Sequence, residues 1–270
     1  MSRAALRRPG RLPTPPTRVA RPLMPLVTAD RLAGPCADAL EALHEACRRL
    51  ALAGAFRVDA ARFDARCATH VADELSSYAT ETNGRPAYDA SRDAAEEGAM
   101  NTVAGTLPAA LAGPGALADW LLDVAAATGV AEPRLRSGPV GLDPDGAGRV
   151  VAFADAREIP GRLQALCERL RQASPWPCFD ALVLQAGLLN LHPLRDGNGR
   201  AARVAYAAML RWRYPGLVAH PPVYRLRSAA PFAFEIALRS AELHGEWRRL
   251  ARFHSDVIAA MLACREPAAP

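Results

Sequence analysis

His192-Pro193-Leu194-Arg195-Asp196-Gly197-Asn198-Gly199-Arg200, continued by Ala201-Ala202-Arg203, brings an imidazole, a carboxylate, two glycines around an asparagine and a spaced pair of arginines into one short segment. These are the groups that phosphate chemistry needs. Gly197 and Gly199 let the backbone turn tightly and aim its N–H groups at an anion. The residues from Ala201 to Trp212 read as a helix, so the segment ends on a helix N-terminus with its unpaired N–H groups and partial positive charge. Arg200 and Arg203 lie three apart, near one face of that helix, and can fork onto phosphate oxygens. Asp196 offers the hard oxygen ligand that Mg²⁺ takes when it is shared with substrate phosphates. His192 stands just before the cradle, where a general base would take a proton from an incoming hydroxyl.

The flanks supply the context that such a loop requires. Phe179 to Asn190 is apolar almost all round, as a buried central helix would be, with Phe179, Leu182, Val183, Leu184, Leu188 and Leu189 in one short run. Pro175 and Pro177 punctuate its start, and Asp180 falls in its first turn, at the favourable end of the dipole. After the motif, Val204, Ala205, Ala208, Met209 and Trp212 recur at helical spacing until Pro215-Gly216. The motif therefore joins two buried helices.

Composition narrows the classes. Half of the 270 residues are apolar, enough for a real core. The chain has no lysine and is rich in alanine, which reads as the codon bias of a GC-rich bacterial genome. The formal charge of +5 is concentrated at one end. Arg3, Arg7, Arg8, Arg11, Arg18 and Arg21 lie within the first 24 residues, where there is no acid; without those six, 27 of the 33 basic residues face all 28 acidic ones. The remainder is near neutral, which argues against nucleic acid as a partner. The six cysteines, at 36, 47, 67, 167, 178 and 264, form no Cys-x-x-Cys pattern and fall mostly in apolar helical runs. Reduced, buried thiols in the cytoplasm are expected, and no zinc site. No apolar run approaches the length of a membrane span, and the N-terminus lacks the apolar stretch of a secretory leader.

Four regions follow. Residues 1–29 are Arg- and Pro-rich and are expected to be disordered, as a solvated tail or as a secretion or docking segment. Residues 30–80 read as a helical extension, with Leu40, Leu43, Cys47, Leu50 and Ala51 on one face and a second helix from Asp59 to about Ser76. Residues 81–263 form the main domain, and residues 264–270 a short tail. Within the main domain, helices are expected over Ser91–Leu107, Pro114–Thr128 and Pro160–Gln172, and one continuous helical stretch over Pro231–Ala263. Between Arg136 and Phe153 the period changes: Val140 and Leu142, then Asp143-Pro144-Asp145-Gly146, then Val150 and Val151 read as two short strands and a turn. The expected class is all-α with one short β-hairpin. His44, His70, His220, His244 and His254 show no metal-ligand spacing.

The motif resembles the signature of the Fic family, His-x-Phe-x-(Asp/Glu)-Gly-Asn-(Gly/Lys)-Arg-x-x-Arg, at every fixed position but one. Leu194 stands where that family usually has Phe, an apolar anchor under the loop; Leu keeps the burial, at a cost of about 1 kcal/mol or less if the pocket repacks. The resemblance runs from about Thr82 to Phe253. It implies a Fic-like helical domain built around a helix–loop–helix active site, and a protein adenylyltransferase that moves AMP from ATP to a Tyr, Thr or Ser hydroxyl of a target protein. His192 would then be the base, Asp196 the Mg²⁺ ligand across the α- and β-phosphates, and Gly197, Asn198 and Gly199 the phosphate cradle. Arg200 would face the β-phosphate and Arg203 the γ-phosphate.

The same resemblance assigns two further elements. The hairpin corresponds to a flap beside the active-site loop, where Val140, Leu142, Val150 and Val151 would hold a target segment by strand addition; the alternative is a hairpin that only caps the core. Glu97-Gly98 corresponds to an inhibitory helix whose Glu pairs with the second motif arginine, here Arg203, and blocks the γ-phosphate site. Asp93 departs from the Ser/Thr of that pattern and Glu96 from its apolar residue. A solvated helix face is the other reading of Glu97. Self-modification, transfer from another donor such as UTP, transfer of the γ-phosphate, and a non-catalytic nucleotide-binding module stand as alternatives to AMP transfer onto a partner.

Overall fold

Helices dominate the computed structural model, which describes residues 17–66, 89–141, 149–172, 174–225 and 231–266. In chain order they are α1 (Pro35–Leu52), α2 (Ala90–Val103), α3 (Pro114–Ala127), α4 (Ile159–Arg171), α5 (Pro177–Leu191), α6 (Asn198–Arg213), α7 (Pro231–His244) and α8 (Arg248–Ala263), with a single turn at Leu107–Ala110. Pro35, Pro114 and Pro177 each stand in the first turn of a helix, where a missing N–H costs no intrahelical bond. The strands are β1 (Thr17–Ala20), β2 (Arg57–Val58), β3 (Arg149–Ala152) and β4 (Arg265–Glu266). The all-α class holds.

α5 is the axis of the fold. From Cys178 to Leu191 it is buried at every residue but Leu189, as its unbroken apolar run demands. α6 packs along it and is buried from Ala201 to Leu210. α1 turns Leu40, Leu43, Cys47 and Leu50 inward and packs mainly against α8. Asp180 of α5 is buried and receives Arg169, also buried, at 3.3 Å and Arg213, part-exposed, at 3.1 Å. Burial raises the Asp180 pKa, against the pull of the two guanidinium groups. No helix among the described residues is long and apolar enough to cross a membrane.

Several expectations need correction. The chain is not a loose tail up to residue 29. From Thr17 onward it packs on the body, and Met24 is fully buried. Residues 1–16 lie outside the described residues, as do Leu142, the turn at 143–146, Cys67, His70 and the second helix beyond Arg66. The expected stretch from 231 to 263 is two helices, broken at Gly245, whose φ of +64° suits glycine. His244 and His254 therefore sit on different helices. α6 begins at Asn198, three residues earlier than its apolar period suggests, because the motif itself forms its first turn. The strand pairs β1–β3, parallel, and β2–β4, antiparallel, were not foreseen.

His254 is fully buried, with its ring 4.2 Å from that of Tyr206 and edge-on to Phe234 and Phe253. Burial pushes its pKa down to about 3. An unfolded chain, with an ordinary His pKa near 6.5, binds this proton more readily than the native state, so stability falls as pH drops below that value. From this one site the loss at pH 5 should be about 2 kcal/mol. Thermal unfolding of the wild type and of His254→Phe at pH 7.5 and pH 5 measures it: the variant should lose about 2 kcal/mol less between the two conditions.

Candidate active site

The motif forms a cleft of roughly 380 Å³ lined by His192, Asp196, Gly197, Gly199, Arg200 and Arg203, with Asn198, Arg195, Arg92 and Tyr224 completing the wall. All of the expected motif residues meet there. His192 caps α5 in the left-handed region, φ 53° and ψ 57°, the only non-glycine with positive φ among the described residues. Such a conformation costs on the order of 1 kcal/mol or more and persists only where surrounding contacts enforce it. Here Arg136 enforces it. Its guanidinium donates to the carbonyls of His192 (2.7 Å), Ala154 (2.6 Å), Leu191 (3.1 Å) and Gly138 (3.3 Å). Its own N–H donates to the Pro193 carbonyl at 3.0 Å.

The imidazole is held neutral. Burial first, and the Arg21 guanidinium second, push the His192 pKa down to about 4, against the opposing Leu189 carbonyl. At neutral pH the ring is therefore a proton acceptor, as a general base must be. Phe153 stacks on it with ring centroids 4.1 Å apart.

The loop between the helices is braced from within. Leu194 is fully buried, in the anchoring role expected of it, and bridges to Leu135. Asn198 accepts from the Leu194 N–H at 2.8 Å and donates to the Leu194 carbonyl at 2.7 Å. This changes one assignment: the Asn198 side chain is committed to the loop and shapes the cradle without facing a phosphate. Gly197 has φ +84°, and a Cβ there would lie 2.8 Å from Val130, so two independent constraints require glycine. A Cβ at Gly199 would lie 3.2 Å from the Arg203 guanidinium.

The charged groups divide by role. The Asp196 side chain is 75% exposed at the mouth of the cleft, with one oxygen accepting from the Gly197 N–H at 2.6 Å and the other 3.3 Å from Arg200. Arg200 also donates to the Thr128 carbonyl at 3.1 Å, which fixes it at the head of α6. Arg203 is buried and forked onto a carboxylate, but that carboxylate is Glu96. Its Nε lies 2.9 Å and its Nη2 2.5 Å from the two Glu96 oxygens. Glu97 is exposed on α2 and faces away. The expected pairing is thus displaced by one residue. Glu96 lies on the stripe of α2 that also buries Ala99, Met100 and Val103, and Glu97 stands about 100° round the helix from it. The helical period of that stripe is legible in the sequence and places Glu96, not Glu97, on the buried face.

Other contributors carried no motif. Tyr224 lies against Arg203, with the guanidinium carbon 4.9 Å from its ring centroid. Arg136, Phe153 and Arg21 are brought in only by tertiary structure. The expected flap is present in part. Val140 accepts from the Phe153 N–H at 3.0 Å, Gly141 bridges Ala152 in antiparallel sense, and Val150 and Val151 lie in β3.

Residues 119–210, from α3 to within α6, match the model of the Fic/DOC family. The fold is similar to that of a Fic family protein from Desulfovibrio desulfuricans G20, with a TM-score of 0.51 and 19% identity over 88% of this chain and 75% of that one. A segment of Fic-1 from C. elegans aligns with 17% identity and a TM-score of 0.49, over 84% of this chain and 71% of its own. No curated protein matches the chain. The motif and α5 lie wholly within residues 119–210, the stretch of this chain that matches the Fic/DOC family model.

Proposed function

We propose that the protein is a nucleotidyltransferase that moves AMP from ATP to a Tyr, Thr or Ser hydroxyl of a protein. The observation that carries this reading is the joining, in one cleft, of a neutral imidazole with a glycine-lined helix N-terminus and two motif arginines. α6 opens at Asn198, directly after Gly197, so the N–H groups of its first turn would supply the phosphate cradle. Arg200 at the cleft neutralises the β-phosphate, and Arg203, once free of Glu96, the γ-phosphate. His192 takes the proton of the acceptor hydroxyl. The oxygen attacks the α-phosphorus in line, the bond to the β-phosphate bridging oxygen breaks, and pyrophosphate leaves.

Asp196 fits a shared cation. Its carboxylate is solvent-facing and directly before the cradle. No cluster of three or more His, Cys, Asp or Glu side chains that would hold a metal alone occurs among the described residues; Asp196 would share Mg²⁺ with phosphate oxygens and water. Mg²⁺ held there supplies neutralising charge to the phosphates when bound.

Intact-mass measurement after incubation of the protein with ATP and Mg²⁺ tests the reading. A gain of one AMP supports it, whereas a gain of phosphate assigns the chain to γ-phosphoryl transfer. His192→Ala should abolish transfer, with a loss of about 10²–10⁴ in rate, while ATP affinity measured by calorimetry stays near wild type. Near wild-type transfer by this variant would remove His192 as the base.

The Glu96–Arg203 pair supports a restrained resting state. A guanidinium forked onto a buried carboxylate is not available to a γ-phosphate, and ATP then binds with its α-phosphorus out of line. Glu96→Gln keeps the shape and drops the charge. It should raise the transfer rate roughly tenfold or more, since a charge-assisted pair is worth about 1.5–3 kcal/mol. Glu97→Gln should leave the rate unchanged. Equal rates for all three proteins would show that the pair does not restrain the enzyme.

A further inference from the structure

The approach to His192 beside β3 is already occupied by this chain. β1 lies parallel to β3, with Thr17 opposite Arg149 and Ala20 opposite Ala152. The ladder runs one residue further, where the Arg21 N–H donates to the Ala152 carbonyl at 2.8 Å. Arg21 then lays its guanidinium over the Phe153 ring, 4.9 Å from the centroid, and Phe153 is the ring that stacks on His192. The other side of β3 faces Val140 and Gly141. Both sides of β3 are therefore taken, and an incoming target strand finds no vacant edge on it.

The two halves of the N-terminal segment are held very differently. After Ala20 it is clamped. Arg21 pairs with the buried Glu242, and Asn190, two residues before His192, donates to the Pro22 carbonyl at 3.1 Å and accepts from the Met24 N–H at 2.9 Å. Before Arg21, residues 18–20 are exposed, Val19 to 45%, so β1 is held by its backbone ladder with little apolar burial. A strand attached in that way can be exchanged for another.

We propose that residues 17–20 are a built-in stand-in for the target strand, covering the β3 edge until a target segment displaces them. This rests on the reading of the hairpin as the docking flap. Ala20, Arg21 and Pro22, the residues that pass the Phe153–His192 stack, carry no hydroxyl. The nearest upstream hydroxyl residue, Thr17, is three positions before Ala20, about 10 Å along a strand. The segment therefore docks like a substrate without being one.

The test uses a fluorescent peptide of residues 15–22, Pro-Pro-Thr-Arg-Val-Ala-Arg-Pro, and three proteins: wild type, a truncation lacking residues 1–21, and full-length Val19→Pro, which loses one N–H from β1 while keeping Arg21 and the core. The truncation leaves Glu242 paired with Arg239. Anisotropy should show the peptide binding both altered proteins at least about tenfold more tightly than wild type, and a Val19→Pro peptide binding none. With ATP and Mg²⁺, the truncation should place AMP on the new serine of an Arg21→Ser peptide, located by fragment mass spectrometry, and leave the native peptide unmodified. Equal binding to all three proteins would overturn the proposal, as would a bound Arg21→Ser peptide left unlabelled by a protein that modifies itself. The expected binding pattern with no transfer in any arm supports the covered edge and strikes the proposed chemistry instead.

Discussion

The guanidinium of Arg136 carries the geometry of the site. This buried cation makes its hydrogen bonds to carbonyl oxygens, taken from the end of α5 and from Gly138 and Ala154 on the two sides of the hairpin, while Asp155 and Glu158 supply favourable charge. Those bonds hold the residue that caps α5, His192, in its left-handed conformation. They also tie His192 to Ala154, just after β3. The imidazole and the strand beside it thereby form one corner, joined again by the Phe153 ring stacked on His192.

The second organising feature is competition for Arg203. Its guanidinium sits between a carboxylate in α2 and the Tyr224 ring, in surroundings where a lone charge would be costly. Glu96 is itself unfavourably placed: burial raises its pKa, and the Arg203 contact works against that shift. Each partner is tolerable only because of the other. A polyanion entering the cleft offers Arg203 a replacement and leaves Glu96 without one, which makes α2 the element most sensitive to what the cleft holds.

Much of this was legible in the chain. The motif, the burial of Leu194 and the apolar period of α5 follow from local composition, and local composition survives folding where every neighbour agrees with it. What was not legible is contact between distant segments. The stretch from Thr17 to Met24 looks like solvated chain, yet its partners are a β-strand, the end of α5 and a carboxylate in α7. Nothing in residues 17–24 encodes the address of those partners. The pairing of Arg203 was misread for a different reason. A two-residue pattern, Glu97-Gly98, outweighed the helical period that places Glu96 inside, and packing follows the period.

The separation of those partners bears on how the chain is made. Arg21 and Glu242 are 221 residues apart, and β1 must find a strand more than a hundred residues downstream. On a ribosome β1 emerges before its partners and cannot dock until β3 and α7 have been synthesised. It is thus placed late, and until then the corner holding His192 stands open to whatever extended chain lies nearby.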